Sequence, residues 1–306
     1  MVQIIVLIGT GVTCVYRFAK PEINFDTDLA CRLLKTALPI AGAGVFSSMI
    51  FQSDTVMLSL MTDDSSVGQY SAAMRLVTGT LFIPGIYVAS VLPALSRLYI
   101  HSKETLALVH AKSVQFLIWM ALPLATGITL VASRLMGMIY GQEYASAAPV
   151  LALLGWAVAC IYIGVFFSHL LVSIEKQATA MKIVGLAALV NVILNLVFIP
   201  VWGITGAAIA GVISQFMIVS VQAVVLHKSG YAISWLIAIQ KPLLAVSIMA
   251  SVVLIMNQVL ENSPFATFMI IFVAAVIYGA LIWHLEGEEN MKPLWTSLRR
   301  PDLSPE

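Results

Sequence analysis

Of 306 residues, 60% are hydrophobic and 10% charged, and the mean hydropathy is +0.97. A soluble domain carries about 25% charged residues, so this composition rules against one and for a membrane protein. The net charge of +1 offers no clustered basic face for nucleic acid, and Cys14, Cys31 and Cys160 share neither ligand nor disulfide spacing and read as small apolar fillers.

Nine apolar spans of membrane-crossing length can be drawn, at 1–18, 33–61, 69–93, 113–139, 148–172, 181–200, 203–227, 242–260 and 265–284. The fold class expected is therefore all-α, a polytopic helical bundle. Fourteen of the sixteen basic residues fall on alternate connections, such as Arg17, Lys20, Arg32 and Lys35 on the first and Lys176 and Lys182 on the fifth. The connections between, near 62–68, 140–147, 201–202 and 261–264, hold none. By the positive-inside rule the basic side is cytoplasmic, which puts the N-terminus outside and the C-terminus in the cytoplasm. The two basic residues left over are Arg75 and Arg134; the latter lies near the Tyr140-Gly141 turn and is expected to snorkel to the interface. Met1 opens almost directly onto a span with no cleavable signal, so the chain reads as the back part of something longer.

Residues 19–32 are the first polar connector and are expected to link two lobes. Beyond it, the segment from Gln52 to Arg75 reads as a helical hairpin about the polar turn Thr62 to Ser66. Asp54 lies eight residues before Thr62 and Arg75 eight after Val67, so both are expected roughly 12 Å below the turn. Charge at that depth costs about 2.5 to 3.5 kcal/mol and by default marks a functional site. The alternative, a buried ion pair that only holds the hairpin together, stays open. Pro39, Pro84-Gly85 and Pro123 fall inside spans and are candidate hinges.

Further along, Gly68 to Ala73 and Gly203 to Ala208 both fit G-x-x-[SG]-A-A, each after an outer turn, which suggests a repeated hairpin unit. The connection 94–112 reads as an amphipathic interfacial helix. His169, beside Ser168, reads as an interfacial histidine or a relay. Asn191 and Asn195 stand four apart on one face of the sixth span, placed either to line a polar cavity or to hydrogen-bond between helices. The tail from Glu286, rich in proline, is expected to be poorly ordered beyond Trp295. No catalytic constellation and no phosphate-binding glycine loop appears, so an enzyme is not expected.

Several runs resemble the bacterial polysaccharide transporters, the O-antigen flippase group: LLKTALPI (33–40), QSDTVML (52–58), VGQYSAAMRL (67–76), LPALSRL (92–98), GQEYASAAPVL (141–151) and NVILNLVFIPVWGITGAAIA (191–210). The superfamily also holds multidrug exporters and peptidoglycan lipid flippases. The resemblance implies two six-helix lobes around a cavity, often followed by two extra helices. On this chain it makes 1–18 the last helix of a first lobe, 33–227 the second lobe, 228–284 the extra pair and 285–306 a cytoplasmic tail. It also implies an inner-membrane flippase that moves an undecaprenyl-diphosphate-linked oligosaccharide, such as an O-antigen unit for lipopolysaccharide, to the outer leaflet by alternating access. The substrate contacts expected are Arg75, Asp54, Gln52, Asn191 and Asn195; Gln52 stands where members of the family often carry Arg. The expected partners are the lipid-linked oligosaccharide, the bilayer, and a separate first lobe or polymerase machinery. No cofactor or metal is expected, and a coupling ion, H+ or Na+, is left open. The rival readings are an ion-coupled drug exporter of the same superfamily and a non-transporting membrane scaffold.

Overall fold

The computed structural model describes Gly9 and residues 26–299, with side chains described as far as Leu285. Apart from Gly9, the expected span 1–18, the linker up to residue 25 and the tail from residue 300 lie outside the described residues. Among the described residues the regular structure is entirely helical: α1 Thr27–Met61, α2 Asp64–Thr78, α3 Phe82–His101, α4 Lys103–Tyr140, a 3-10 segment Gln142–Ala147, α5 Ala148–Ser173, α6 Gln177–Lys228, α7 Trp235–Val259 and α8 Pro264–Arg299. Seven helical segments are long and apolar enough to cross a membrane. One of them, α6, runs for 52 residues and is broken at Gly203, whose φ of 55° and ψ of −131° lie outside the helical region. Divided there, the described residues carry eight of the nine expected spans.

Contacts divide the chain into residues 1–38 and 39–306. The described part of the first unit is the opening of α1, capped by Asp26, whose Oδ1 accepts from the N–H groups of Asp28 at 2.9 Å and Leu29 at 3.1 Å. The helix thus starts inside the connector expected at 19–32.

In the second unit α5 is central, packed against α2, α3, α4 and α6. Its sequence is apolar all round, and a helix of that kind is buried on every side. Tyr162, Phe166 and Phe167 have no exposed surface. Small residues set the spacing: a Cβ on Gly155 would stand 3.3 Å from the Ala125 carbonyl oxygen of α4, and one on Gly164 would stand 3.3 Å from Val219 of α6. A second apolar cluster joins Trp119 and Val131 of α4 to α7 and α8, through residues such as Met249, Val253 and Ile270.

The span expected at 69–93 is two helices. α2 ends at Thr78, and a tight turn over 79–81 leads into α3, with Pro84 in its first turn where a missing N–H is tolerated. The interfacial helix expected at 94–112 is instead the end of α3 and the beginning of α4. They part at Ser102, whose Oγ caps α4 by accepting from the Thr105 N–H at 3.3 Å. At the other end of the chain, helix α8 continues to Arg299 through residues read as a loose tail.

Arg134 meets backbone carbonyls beside the connection expected at 261–264. Its guanidinium donates to the carbonyl oxygens of Asn257 (3.1 Å) in the last turn of α7 and of Leu260 (2.8 Å) and Glu261 (2.9 Å) just beyond it. Asn257 returns a bond from Nδ2 to the Leu130 carbonyl at 3.0 Å. Arg134→Met, which keeps the aliphatic bulk, is expected to lower the melting temperature of the purified protein in detergent, by the equivalent of about 1.5–3 kcal/mol for the charged hydrogen bonds lost. A melting temperature equal to the parent's would show that the cap adds nothing.

Candidate functional site

Two hairpins meet at Asp54. The first is α1 and α2, turned over Thr62 and Asp63; the Ser66 hydroxyl donates to the Asp63 carboxylate at 2.6 Å and holds that carboxyl below its ordinary range. The second is α6, folded back at Gly203. A Cβ on Gly206 would overlap the Phe198 carbonyl and stand 3.1 Å from the Ile199 nitrogen, an approach that only a reversed chain allows. Helix α1 and the first half of α6 run parallel, since Gly42 neighbours Met181, Phe46 neighbours Gly185, and Ser53 reaches Asn191. Both turns therefore lie at the same end of the lobe. Asp54 is eight residues before Thr62 and Tyr70 eight after it; Asn195 is eight before Gly203 and Gly211 eight after it. At about 1.5 Å per residue all four lie at one depth, roughly 12 Å below the turns.

The Asp54 side chain is only 2% exposed, and Tyr70, Asn191 and Asn195 have no exposed surface. The Tyr70 hydroxyl donates to Asp54 Oδ2 at 2.7 Å, and Asn195 Nδ2 donates to Asp54 Oδ1 at 2.6 Å. Asn191 Oδ1 accepts from Asn195 Nδ2 at 3.2 Å and from Ser53 Oγ at 2.7 Å. A Cβ on Gly211 would stand 3.5 Å from Asp54 Oδ2, so glycine there leaves the carboxylate room. Beside it is a cavity of about 20 Å³ lined by Asp54, Met74, Gly211 and Gln215 among others. Such a volume holds one water or one small cation.

The hydrogen-bond partners of Asp54 are all neutral, and two polar atoms of the cluster, Asn195 Oδ1 and Asn191 Nδ2, are buried with no hydrogen bond. A half-turn of the Asn195 amide exchanges Nδ2 for Oδ1. On the cavity wall itself the polar side chains are those of Asp54 and Gln215, a carboxylate and an amide, which are hard oxygen donors.

Of the five substrate contacts expected from sequence, the structure brings together Asp54, Asn191 and Asn195. Gln52 and Arg75 are exposed and stand apart from them. The buried ion pair between Asp54 and Arg75 is not formed among the described residues, and the reason is register. Helix α2 resumes at Asp64, so Tyr70, not Arg75, sits opposite Asp54. Arg75 lies five residues deeper, about 140° farther round the helix at 100° per residue, in the last turn of α2. Tyr70 takes the place expected for Arg75, and Ser53 joins the cluster through Asn191; neither residue is among the contacts expected from sequence. Counting eight residues out from Thr62 in both directions would have found Tyr70.

Of the expected hinge residues, Pro84 is buried and Gly85 exposed at the start of α3, and Pro123 lies within α4. Ser168, expected beside His169, accepts from Gln222 Nε2 at 2.8 Å. The two G-x-x-[SG]-A-A copies are not equivalent in place: Gly203 makes its turn, whereas Gly68 lies four residues into α2, although Ala72, Ala73, Ala207 and Ala208 are all buried.

Residues 1–99 match the family described as polysaccharide biosynthesis protein. Two curated relatives are each 24% identical. One is the "probable low-salt glycan biosynthesis flippase" Agl15 of Haloferax volcanii, matched over 53% of this chain and 34% of its own length. The other is an uncharacterised membrane protein of Methanocaldococcus jannaschii, matched over 69% and 42%. Among solved structures, the lipid II flippase MurJ in an inward closed conformation superposes over 90% of this chain and 59% of its own, with a TM-score of 0.71 at 17% identity. A MOP-superfamily transporter from Pyrococcus furiosus, described as having a binding pocket of reversed polarity, covers 87% of this chain and 66% of its own, with a TM-score of 0.56 at 15% identity. These matches bear out the resemblance to polysaccharide and lipid-linked-glycan flippases, and the structural ones carry the fold. The chain spans about a third to two fifths of the length of these curated relatives.

Proposed function

We propose that this chain forms one lobe of a flippase for lipid-linked glycans, in which Arg75 receives the anionic diphosphate and the Asp54 cluster holds the coupling cation, H+ or Na+. The observation that carries the reading is Arg75. It is exposed, it lies eleven residues below the start of α2, and no acidic side chain pairs with it among the described residues. At about 1.5 Å per residue it stands roughly 17 Å below the turn, near the middle of a hydrocarbon layer about 30 Å thick. An unpaired guanidinium at that depth is costly and favours a place on a bundle interior or a water-filled cavity, and its fork of donors fits a diphosphate bidentately. Gln52, exposed on α1, is assigned to the sugar hydroxyls. The substrate is an undecaprenyl-diphosphate-linked oligosaccharide, an O-antigen unit or similar repeat, carried to the outer leaflet of the bacterial inner membrane with the N-terminus outside and the tail in the cytoplasm. Alternating access then requires a second lobe, consistent with the greater length of the relatives.

An exporter of organic cations fits less well. Arg75 repels such a substrate, and Asp54, which would attract it, is sealed behind a cavity of about 20 Å³. A passive scaffold leaves the cost of placing Arg75 unexplained.

The test is translocation of a fluorescent polyprenyl-diphosphate glycan in proteoliposomes, read by quenching of the outer leaflet. Arg75→Ala is expected to reduce the rate at least about tenfold, the loss of one charged contact of about 1.5–3 kcal/mol, with an unchanged melting temperature because no partner is stranded. A parental rate in that variant would remove Arg75 from the site. A collapsed melting temperature would reinstate a structural role for it.

A further inference from the structure

Pro84, at the start of α3, and Pro123, inside α4, share a feature on their neighbours. A proline within a helix has no N–H for the carbonyl four residues before it, and its ring pushes that carbonyl outward. For Pro123, inside α4, the orphan is the carbonyl of Trp119; for Pro84, in the first turn of α3, the carbonyl four residues before is that of Thr80, in the turn ahead of the helix. Both are claimed by a phenol from another helix. Tyr278 of α8 donates to the Trp119 oxygen at 2.8 Å, and Tyr162 of α5 donates to the Thr80 oxygen at 3.0 Å. The Ile83 N–H shares the latter acceptor at 3.2 Å, in the tight turn between α2 and α3. Tyr162 has no exposed surface and Tyr278 7%, so neither phenol has ready access to water. In a helical interior almost every carbonyl is already occupied by its own ladder. A buried phenol therefore finds an acceptor where a proline has vacated one, and the pairing specifies both partners.

We propose that Tyr162 and Tyr278 are positioning residues of the transport cycle, each latching one proline joint in the conformation described here. The proposal rests on the flippase reading for its functional half. Bending at either joint changes the direction of the orphan carbonyl, so the phenol bond is made in one conformation and released in the other. Tyr278 belongs to α8, outside the six-helix lobe, so the joint in α4 answers to the extra helical pair. That pair is also held to α4 by Arg134 and Asn257. This gives the additional helices a mechanical part in the cycle and not merely a peripheral one.

The chemistry supplies its own control, because Pro123→Ala restores the N–H that would occupy the Trp119 carbonyl. Tyr278→Phe removes only a hydroxyl. In the purified protein it is expected to lower the melting temperature and to speed amide hydrogen exchange across residues 117–127 by about tenfold, the effect of one lost hydrogen bond. In the Pro123→Ala background the same change is expected to have little effect on either readout. The cycle of Tyr162→Phe with Pro84→Ala should behave alike, though more weakly, because Ile83 retains a share of the carbonyl. If the effects add within each pair, the phenols merely pack and the proposal is overturned. In proteoliposomes Tyr278→Phe should alter turnover while leaving the substrate concentration for half-maximal rate unchanged. Coupled stability with parental turnover would overturn the positioning role and leave the flippase reading intact. No translocation by the parent protein would sink that reading, and the role in transport with it, whatever the melting cycle shows.

Discussion

Asp54→Asn is expected to leave the lobe at least as stable as the parent while abolishing its response to the coupling cation. Asparagine has the shape of aspartate, its Oδ1 still accepts from the Tyr70 hydroxyl, and the amide of Asn195 can still be met. What disappears is a carboxylate that is 2% exposed and bonded only to neutral groups. An ionised group held that way costs several kcal/mol and gains no Coulombic return from a fixed partner, so removing the charge should not destabilise. Asp54→Ala is different: it strands the Tyr70 hydroxyl and the Asn195 amide, at about 1–3 kcal/mol for each buried donor left unpaired. The order of melting temperatures expected is therefore Asn at or above parent, and Ala well below. Melting the parent in NaCl and in choline chloride, from pH 5 to 8, tells the ion apart. A Na+-dependent rise assigns sodium, and a rise with acidity alone assigns the proton. Either response should vanish in Asp54→Asn. Two results would sink the assignment: an asparagine variant as unstable as the alanine one, which makes Asp54 a structural keystone, or one that keeps the full ion response.

What could be read in the sequence followed from forces that act along the chain. Apolar runs give nine spans, of which the described residues carry eight, and the resemblance to flippases rests on runs that the comparisons support. Asp54, Asn191 and Asn195 were singled out because polar groups in apolar stretches need partners, and the structure makes them one another's partners. The pairing of Asp54 with Arg75 failed on register. A polar turn of five residues, Thr62 to Ser66, is expected where the helix resumes after two, at Asp64, and Arg75 therefore stands five positions beyond Tyr70, about 140° round the helix. The distance of Arg134 from an interface is legible in the sequence; the acceptors it meets, three carbonyls at and just beyond the end of α7, are more than a hundred residues away and have no signature of their own. The phenols on the proline joints were illegible for the same reason, since sequence shows which carbonyl a proline frees but not what arrives there.

The second large effect is expected at Gly206, and its cause lies wholly in the backbone. The reversal at Gly203 folds the two halves of α6 so tightly that a Cβ on Gly206 would overlap the Phe198 carbonyl and stand 2.6 Å from its carbon. No rotamer relieves this, because every atom met is main chain. Alanine ordinarily favours a helix over glycine by about 1 kcal/mol, so Gly127→Ala, placed inside α4 with nothing within 4 Å, should be neutral or stabilising. Gly206→Ala should instead destabilise by about 3 kcal/mol, at the upper end of overpacking costs. The damage should also reach the ion site. Asn195 and Gly211 flank Asp54 from opposite arms of the same hairpin, so spreading the arms withdraws the amide from one carboxylate oxygen and opens the space beside the other. The cation response and the melting temperature should therefore fall together in Gly206→Ala, whereas in Asp54→Asn the response is lost and the stability is kept. A Gly206→Ala protein that melts with the parent would mean that the arms of α6 do not close as described. The shared depth of Asp54, Asn195 and Gly211, on which the site depends, would fail with it.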